Sequence, residues 1–196
     1  MNRNVNLNKL VKIAILSAIA FVVMFLETPP VFSSFLKFDF SDIVAVIGGF
    51  ALGPIAGVVI QLIKNLLHLP LSQTSGVGEL ANFIVGSAFV YPAALVYAKQ
   101  KNKKGAIMGL ITGVISMVVI GVLANYFILL PFYAAMMGFT MEMVVDATNF
   151  MNPLVTNKLT FLIFAIAPFN LIKGSIVSVV TLLVYKRVSG FLNKQK

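Results

Sequence analysis

Two lysines stand in otherwise apolar stretches of this 196-residue chain, and its chemistry is best sought around them. A lysine at the bilayer centre costs around 2.5–3.5 kcal/mol on insertion scales, so its default reading is functional. Lys173 lies in Pro168-Phe169-Asn170-Leu171-Ile172-Lys173-Gly174-Ser175. Asn170 and Lys173, three residues apart, share one helix face, and Pro168 frees a backbone carbonyl beside them. Arg187 is ~20 Å further along the helix, so Lys173 is out of snorkelling reach of the inner headgroups. The plainer alternative is a lysine reaching up to outer headgroups while Asn170 bonds a neighbouring helix. Lys64, in Gln61-Leu62-Ile63-Lys64-Asn65-Leu66-Leu67-His68, stands near the outer end of a short helix. There, snorkelling and ligand contact are equally open.

Further polar groups fall in the same outer half. Glu79 and Asn82 form another i,i+3 pair in Gly78-Glu79-Leu80-Ala81-Asn82-Phe83, although Glu79 can equally favour a helix N-terminus through the dipole. Asn125-Tyr126 puts an amide and a phenol near the end of the next helix, where an amide can also serve as interhelical glue. Phe83, Tyr126, Phe127, Tyr133 and Phe169 are their neighbours. Pockets for organic ligands are mostly apolar and aromatic with a few polar anchors. Amides offer both donor and acceptor, which suits a flat heterocycle with alternating N–H and C=O groups, and a lysine adds a donor for a carbonyl or an anion. The residues alone therefore point to an outward-facing pocket for a small, polar, aromatic molecule.

The elements that position these residues are membrane helices. Apolar residues make up 59% of the chain and charged residues 11%, against roughly 45–50% and about 25% in soluble domains. A water-facing globular surface is excluded. Leu10–Leu26, Ile43–Ile63, Leu80–Ala98, Ala106–Phe139 and Leu159–Tyr185 are the apolar runs, and a spanning helix needs roughly 20 such residues. The first is not read as a cleavable signal peptide, because Glu27 and Pro29-Pro30 follow it. Lysine and arginine accumulate on the cytoplasmic side. Breaking Ile43–Ile63 at Gly53-Pro54 brings Lys99, Lys101, Lys103 and Lys104 to the same side as Arg3, Lys9 and Lys12, and proline makes that break locally favourable. Six helices follow, at about 10–27, 39–52, 54–69, 79–98, 106–127 and 159–187. A rival arrangement keeps one long helix through Gly53-Pro54 and inserts a re-entrant piece at 128–139.

With six spans both termini are cytoplasmic. Eleven of the fifteen basic residues then lie at the inner face, including Lys186, Arg187, Lys194 and Lys196, while Lys37 and Lys158 are outside. The net charge of +9 therefore sets orientation and implies no nucleic-acid partner. The six acids all fall at or beyond the outer face, so no carboxylate pair is expected at mid-membrane to relay protons. With no Cys, disulfides and thiolate metal sites are excluded; there is no G-x-x-x-x-G-K-[ST] phosphate cradle, and His68 is the only histidine, so paired-histidine metal sites are excluded too. Two outer loops, Thr28–Phe40 and Gly138–Lys158, are either interfacial connectors or, for the first, a closure over the pocket. Ala14-x-x-x-Ala18 and Gly109-x-x-x-Gly113 are small-xxx-small patterns that admit a close helix neighbour, within the bundle or on a partner. Residues 1–196 read as a single all-α integral membrane domain with an outward-facing ligand pocket.

Several strings in this order and placement carry a family likeness: Ala14-x-x-x-Ala18, Phe38–Pro54 (FDFSDIVAVIGGFALGP), Gln61–Leu67 (QLIKNLL), Gly78–Phe83 (GELANF), Asn125-Tyr126-Phe127 with Pro131, and Pro168–Gly174 (PFNLIKG). The chain resembles the substrate-binding S components of energy-coupling factor (ECF) vitamin transporters, specifically the riboflavin branch, over nearly its whole length. The resemblance implies a bacterial plasma-membrane protein that binds riboflavin from outside. A transmembrane T component and two ATPases would drive uptake, with flavin as cargo and no redox cofactor. No enzymatic activity is expected, because the lone His68 at one outer end leaves no Ser-His-Asp arrangement. The resemblance places Asn125, Asn170 and Lys173 at polar atoms of the flavin, Glu79 and Asn82 at the ring edge or ribityl chain, and Ala14 and Ala18 against the T component. The Thr28–Phe40 loop would be the lid. Tyr126, Phe38 and Lys64 complete the candidate contacts. The alternatives are an S component for another vitamin, or a membrane assembly protein without a ligand of its own.

Overall fold

The computed structural model describes residues 7–31 and 36–192. Arg3, Lys194 and Lys196 of the inner-face set, and the 32–35 tip of the Thr28–Phe40 loop, lie outside them. Among the described residues every regular element is helical: α1 (Leu7–Met24), α2 (Ser41–Leu52), α3 (Pro54–His68), α4 (Val77–Lys99), α5 (Lys103–Ala124), α6 (Leu130–Met137), α7 (Met141–Asn149), α8 (Lys158–Phe161) and α9 (Ala167–Leu192). Five segments are long and apolar enough to cross a membrane, namely Leu7–Met24, Pro54–Leu71, Val77–Lys99, Lys103–Met137 and Lys158–Tyr185. The sixth expected span is α2, which has only 12 residues and so a length of roughly 18 Å.

The α2–α3 break falls where the sequence places it. Gly53 has φ +101°, a conformation that a side chain would strain, and Pro54 opens α3 at the position where its missing N–H costs no hydrogen bond. The two helices fold back on one another through Gly49 and Gly57. α1 lies on α2 and α3; α4 lies between α3 and α5; α9 closes the bundle against α5 and α2. Phe50, Ile60, Phe89, Val90, Tyr97, Leu110, Met117, Val177 and Tyr185 fill its core. Outward, Ile111, Ile115, Val119, Leu123 and Phe127 stay exposed along one helix, the surface expected where the solvent is hydrocarbon.

One boundary differs. The sequence reading ends the fifth helix at 127, because the run Ala106–Phe139 is too long for one spanning helix. The structure carries helix on to Met137 through a wider π-turn at Asn125–Leu129. There Leu130 N bonds Asn125 O, five residues back, so the chain absorbs the missing amide of Pro131 without ending the helix. No re-entrant piece forms at 128–139. The last long helix repeats the device. A π-turn at Leu162–Ile166 precedes Pro168, and Ala167 N bonds Leu162 O. Between these rods the Gly138–Lys158 loop contains the short helix α7, capped by Thr140.

Candidate ligand-binding site

Charges decide the architecture around Lys173. Its Nζ donates to Asp39 Oδ2 at 2.7 Å and lies 3.1 Å from Asp42 Oδ2. Lys64 Nζ reaches Asp42 Oδ1 at 2.9 Å, with Asp39 Oδ1 3.9 Å away. All four residues are buried, Lys64 and Asp42 with no exposed surface. The cluster is two cations and two anions, so it is neutral as a whole. Dipoles complete it: Gln61 Nε2 donates to Asp42 Oδ1 at 2.7 Å and Asn82 Nδ2 to Asp39 Oδ2 at 2.8 Å. Ser41 Oγ accepts from Lys64 and donates to Asp39. Buried ions survive only when paired and hydrogen-bonded in this way.

The sequence reading missed these counterions. It placed all the acids at the outer rim, whereas Asp39 and Asp42 sit inside the bundle at the start of α2. A signal was available. Two lysines in apolar helices need counterions, and two acids three residues apart at the mouth of a short apolar helix are the natural donors of them. Both lysines end on these carboxylates inside the bundle.

Beside the cluster opens a cleft with about 580 Å³ of empty space, counting the part open to solvent. Asn82, Asn125, Asn170 and Lys173 line it together with Tyr133 and Phe169. Asn125 Nδ2 donates to Gly121 O at 2.8 Å, and Asn170 Nδ2 donates to Ile166 O at 2.9 Å. A carbonyl can only accept, so each amide orientation is fixed and each Oδ1 remains as an acceptor at the cleft. Lys173 has three protons; one is donated to Asp39 Oδ2, Asp42 Oδ2 pairs with it by charge at 3.1 Å without a hydrogen bond, and a proton is left for a guest. α5 and α9 can bring the amides together because Gly121 has no side chain: a Cβ there would stand 2.7 Å from Asn170 Nδ2.

The remaining candidates are elsewhere. Glu79 binds His68 Nδ1 at 2.8 Å and accepts from Ser72 Oγ at 2.6 Å, pinning the α3–α4 turn beside the cleft. Lys64 is outside the residues that line the cleft and is held in the ion cluster. Phe38 stacks on Phe169 with centroids 4.7 Å apart, so it reaches the cleft only through that ring. Tyr126 turns outward, 42% exposed, with Lys158 Nζ 3.8 Å above its ring. The Thr28–Phe40 loop is tied at its base: Thr28 N bonds Phe38 O at 2.9 Å, Lys37 pairs with Glu27 at 2.6 Å, and Glu27 and Asp39 form an antiparallel bridge. It therefore ends on the carboxylate that holds Lys173.

A family model described as "ECF transporter, substrate-specific component" matches residues 8–185. The chain belongs to this family. Riboflavin transporter RibU of Staphylococcus aureus is 37% identical over 193 residues, covering 97% of this chain and 96% of that protein. Riboflavin transporter FmnP of Bacillus subtilis is 32% identical, covering 96% and 95%. A solved S component of a bacterial ECF transporter superposes with TM-score 0.74 at 36% identity, over 95% of this chain and 98% of that one. The S-component fold thus extends over the described bundle, and the family is one of transport components that recognise a substrate.

Proposed function

We propose that the chain is the riboflavin-capturing subunit of an energy-coupling factor transporter, and no enzyme. It crosses the plasma membrane six times with both termini in the cytoplasm, opens its cleft outward, and delivers riboflavin with a T component and two ATP-binding subunits. The observation that carries this is the end-to-end likeness to riboflavin transporters RibU and FmnP. The donor set of the cleft supports it. The imide N–H of the flavin ring, flanked by two carbonyls, suits an amide Oδ1 of Asn125 or Asn170 and a spare proton of Lys173. Asn82 and the Thr28–Phe40 loop flank the ribityl chain, while Glu79, Lys64 and Phe38 act as support rather than contact. Flavin is cargo and not a cofactor. The orientation rests on the lysines at 99–104 and the chain ends. The energy source is placed on other chains because this one has no phosphate loop.

Purified protein titrated with riboflavin should quench flavin fluorescence saturably, one flavin per chain. Binding of thiamin or biotin in its place would redirect the assignment to another S component, and no vitamin at all would leave an assembly role. Asn170→Leu and Asn125→Leu should each cost about 1 kcal/mol, a roughly fivefold rise in Kd.

Ala14 and Ala18 lie on the exposed face of α1, with Val11 and Val22, while Ile13, Ser17, Ala20 and Met24 face the bundle. That exposed stripe of small residues suits the T component. Ala14→Leu with Ala18→Leu should leave riboflavin affinity and thermal stability of the isolated subunit unchanged and abolish uptake in cells carrying the partner subunits. Uptake at the unmodified rate would remove this face from the interface.

A further inference from the structure

Both amides assigned to the ligand flank a π-turn. Asn125 opens the one before Pro131, and Asn170 bonds Ile166 O at the end of the one before Pro168. Each proline deprives the preceding turn of an amide, leaving a carbonyl to be satisfied. In an apolar setting such carbonyls need protein partners. The same outer segment supplies both. Lys158 Nζ donates to Tyr126 O at 3.1 Å, and Asn152 Nδ2 donates to Phe164 O, four residues before Pro168, at 3.1 Å.

The segment is stiff enough to act as a strap. Asn152 Oδ1 accepts from Leu154 N at 3.1 Å, Asn149 Nδ2 donates to Val155 O at 2.8 Å, and Asn157 caps α8 through Thr160 N at 3.0 Å. Val155 anchors it, fully buried among Leu130, Phe161, Leu162 and Ile166. We infer that Asn152 and Lys158 are positioning residues: by capping Phe164 O and Tyr126 O from one strap, they hold the two π-turns in register and so set the separation of Asn125 and Asn170 across the cleft. This rests on the riboflavin reading above for the identity of the guest, though the capping itself does not.

Two variants test it. Asn152→Asp keeps the acceptor that braces the turn and loses the donor to Phe164; Lys158→Met keeps the stem and loses the donor to Tyr126, and Lys158→Arg restores one. Riboflavin Kd should rise about threefold to tenfold in Asn152→Asp and in Lys158→Met, with altered vibronic structure in the absorption of bound flavin, and return to within twofold in Lys158→Arg. Amide hydrogen exchange of the ligand-free protein should quicken over 123–133 in Lys158→Met and over 160–172 in Asn152→Asp, with α1 to α4 unchanged. Unchanged Kd in both donor-lacking variants overturns the inference, as does loss of affinity in Lys158→Arg equal to that in Lys158→Met. If the unmodified protein binds no riboflavin, the proposed function fails by itself. The exchange then still decides whether the strap holds the π-turns, and rates unchanged at both would overturn it.

Discussion

Lys173→Met is expected to unfold the protein far more readily than the loss of one ligand contact would suggest. The substitution leaves Asp39 and Asp42 facing Lys64 alone, a net negative charge in a site without exposed carboxylate surface to speak of. Breaking a buried pair by removing one partner costs about 3–5 kcal/mol, against about 1.5–3 kcal/mol for a single charged hydrogen bond to a guest. The two effects separate in a compensated variant. Lys173→Met with Asp39→Asn leaves Lys64 and Asp42, 2.9 Å apart, as a neutral pair. Thermal unfolding should recover most of its midpoint, and riboflavin affinity should stay low, because the cleft still lacks Nζ. If Lys173→Met unfolds at the unmodified temperature, the four residues are not coupled as described. If the double variant regains full affinity, Lys173 serves the fold and not the flavin.

The cluster also shows how far the sequence could be read. Helix positions were legible because apolar run length and the Gly53-Pro54 break are local properties. The polar face of α9 was legible for the same reason, since Asn170 and Lys173 are one turn apart. What stayed hidden is pairing across the chain: Lys173 meets Asp39, a separation in sequence that no periodicity encodes. The true end of the fifth helix stayed hidden because a π-turn absorbs the missing amide of Pro131 without breaking the rod. The amides illustrate a third case. Their residue types announced hydrogen bonding, but only the structure shows that each NH₂ donates one proton to its own helix, which fixes the amide and leaves its Oδ1 as an acceptor.

Small-xxx-small spacing is ambiguous between core and partner, and Gly109/Gly113 and Ala14/Ala18 stand in different surroundings. Gly109 and Gly113 face α4: a Cβ at 109 would lie 2.4 Å from Ala93 O, and one at 113 would lie 2.7 Å from Phe89 O. The obstacles are backbone carbonyls one helical turn apart, which cannot rotate away as a side-chain tip can. Gly109→Leu must therefore drive α5 off α4, the most extensive packing in the bundle. The expected loss is about 3 kcal/mol or more, the upper range for overpacking. Because the π-turn that begins at Asn125 continues α5, riboflavin binding should fall with the fold, and lowering the temperature should recover part of both together. Ala98→Leu, exposed at the far end of α4, adds comparable volume without meeting another helix and should leave both unchanged. A Gly109→Leu protein with unaltered unfolding temperature would place α4 and α5 further apart than described. The contrast with Ala14 and Ala18 follows from what lies opposite each motif: a carbonyl ladder of the same chain in one case, open surface in the other.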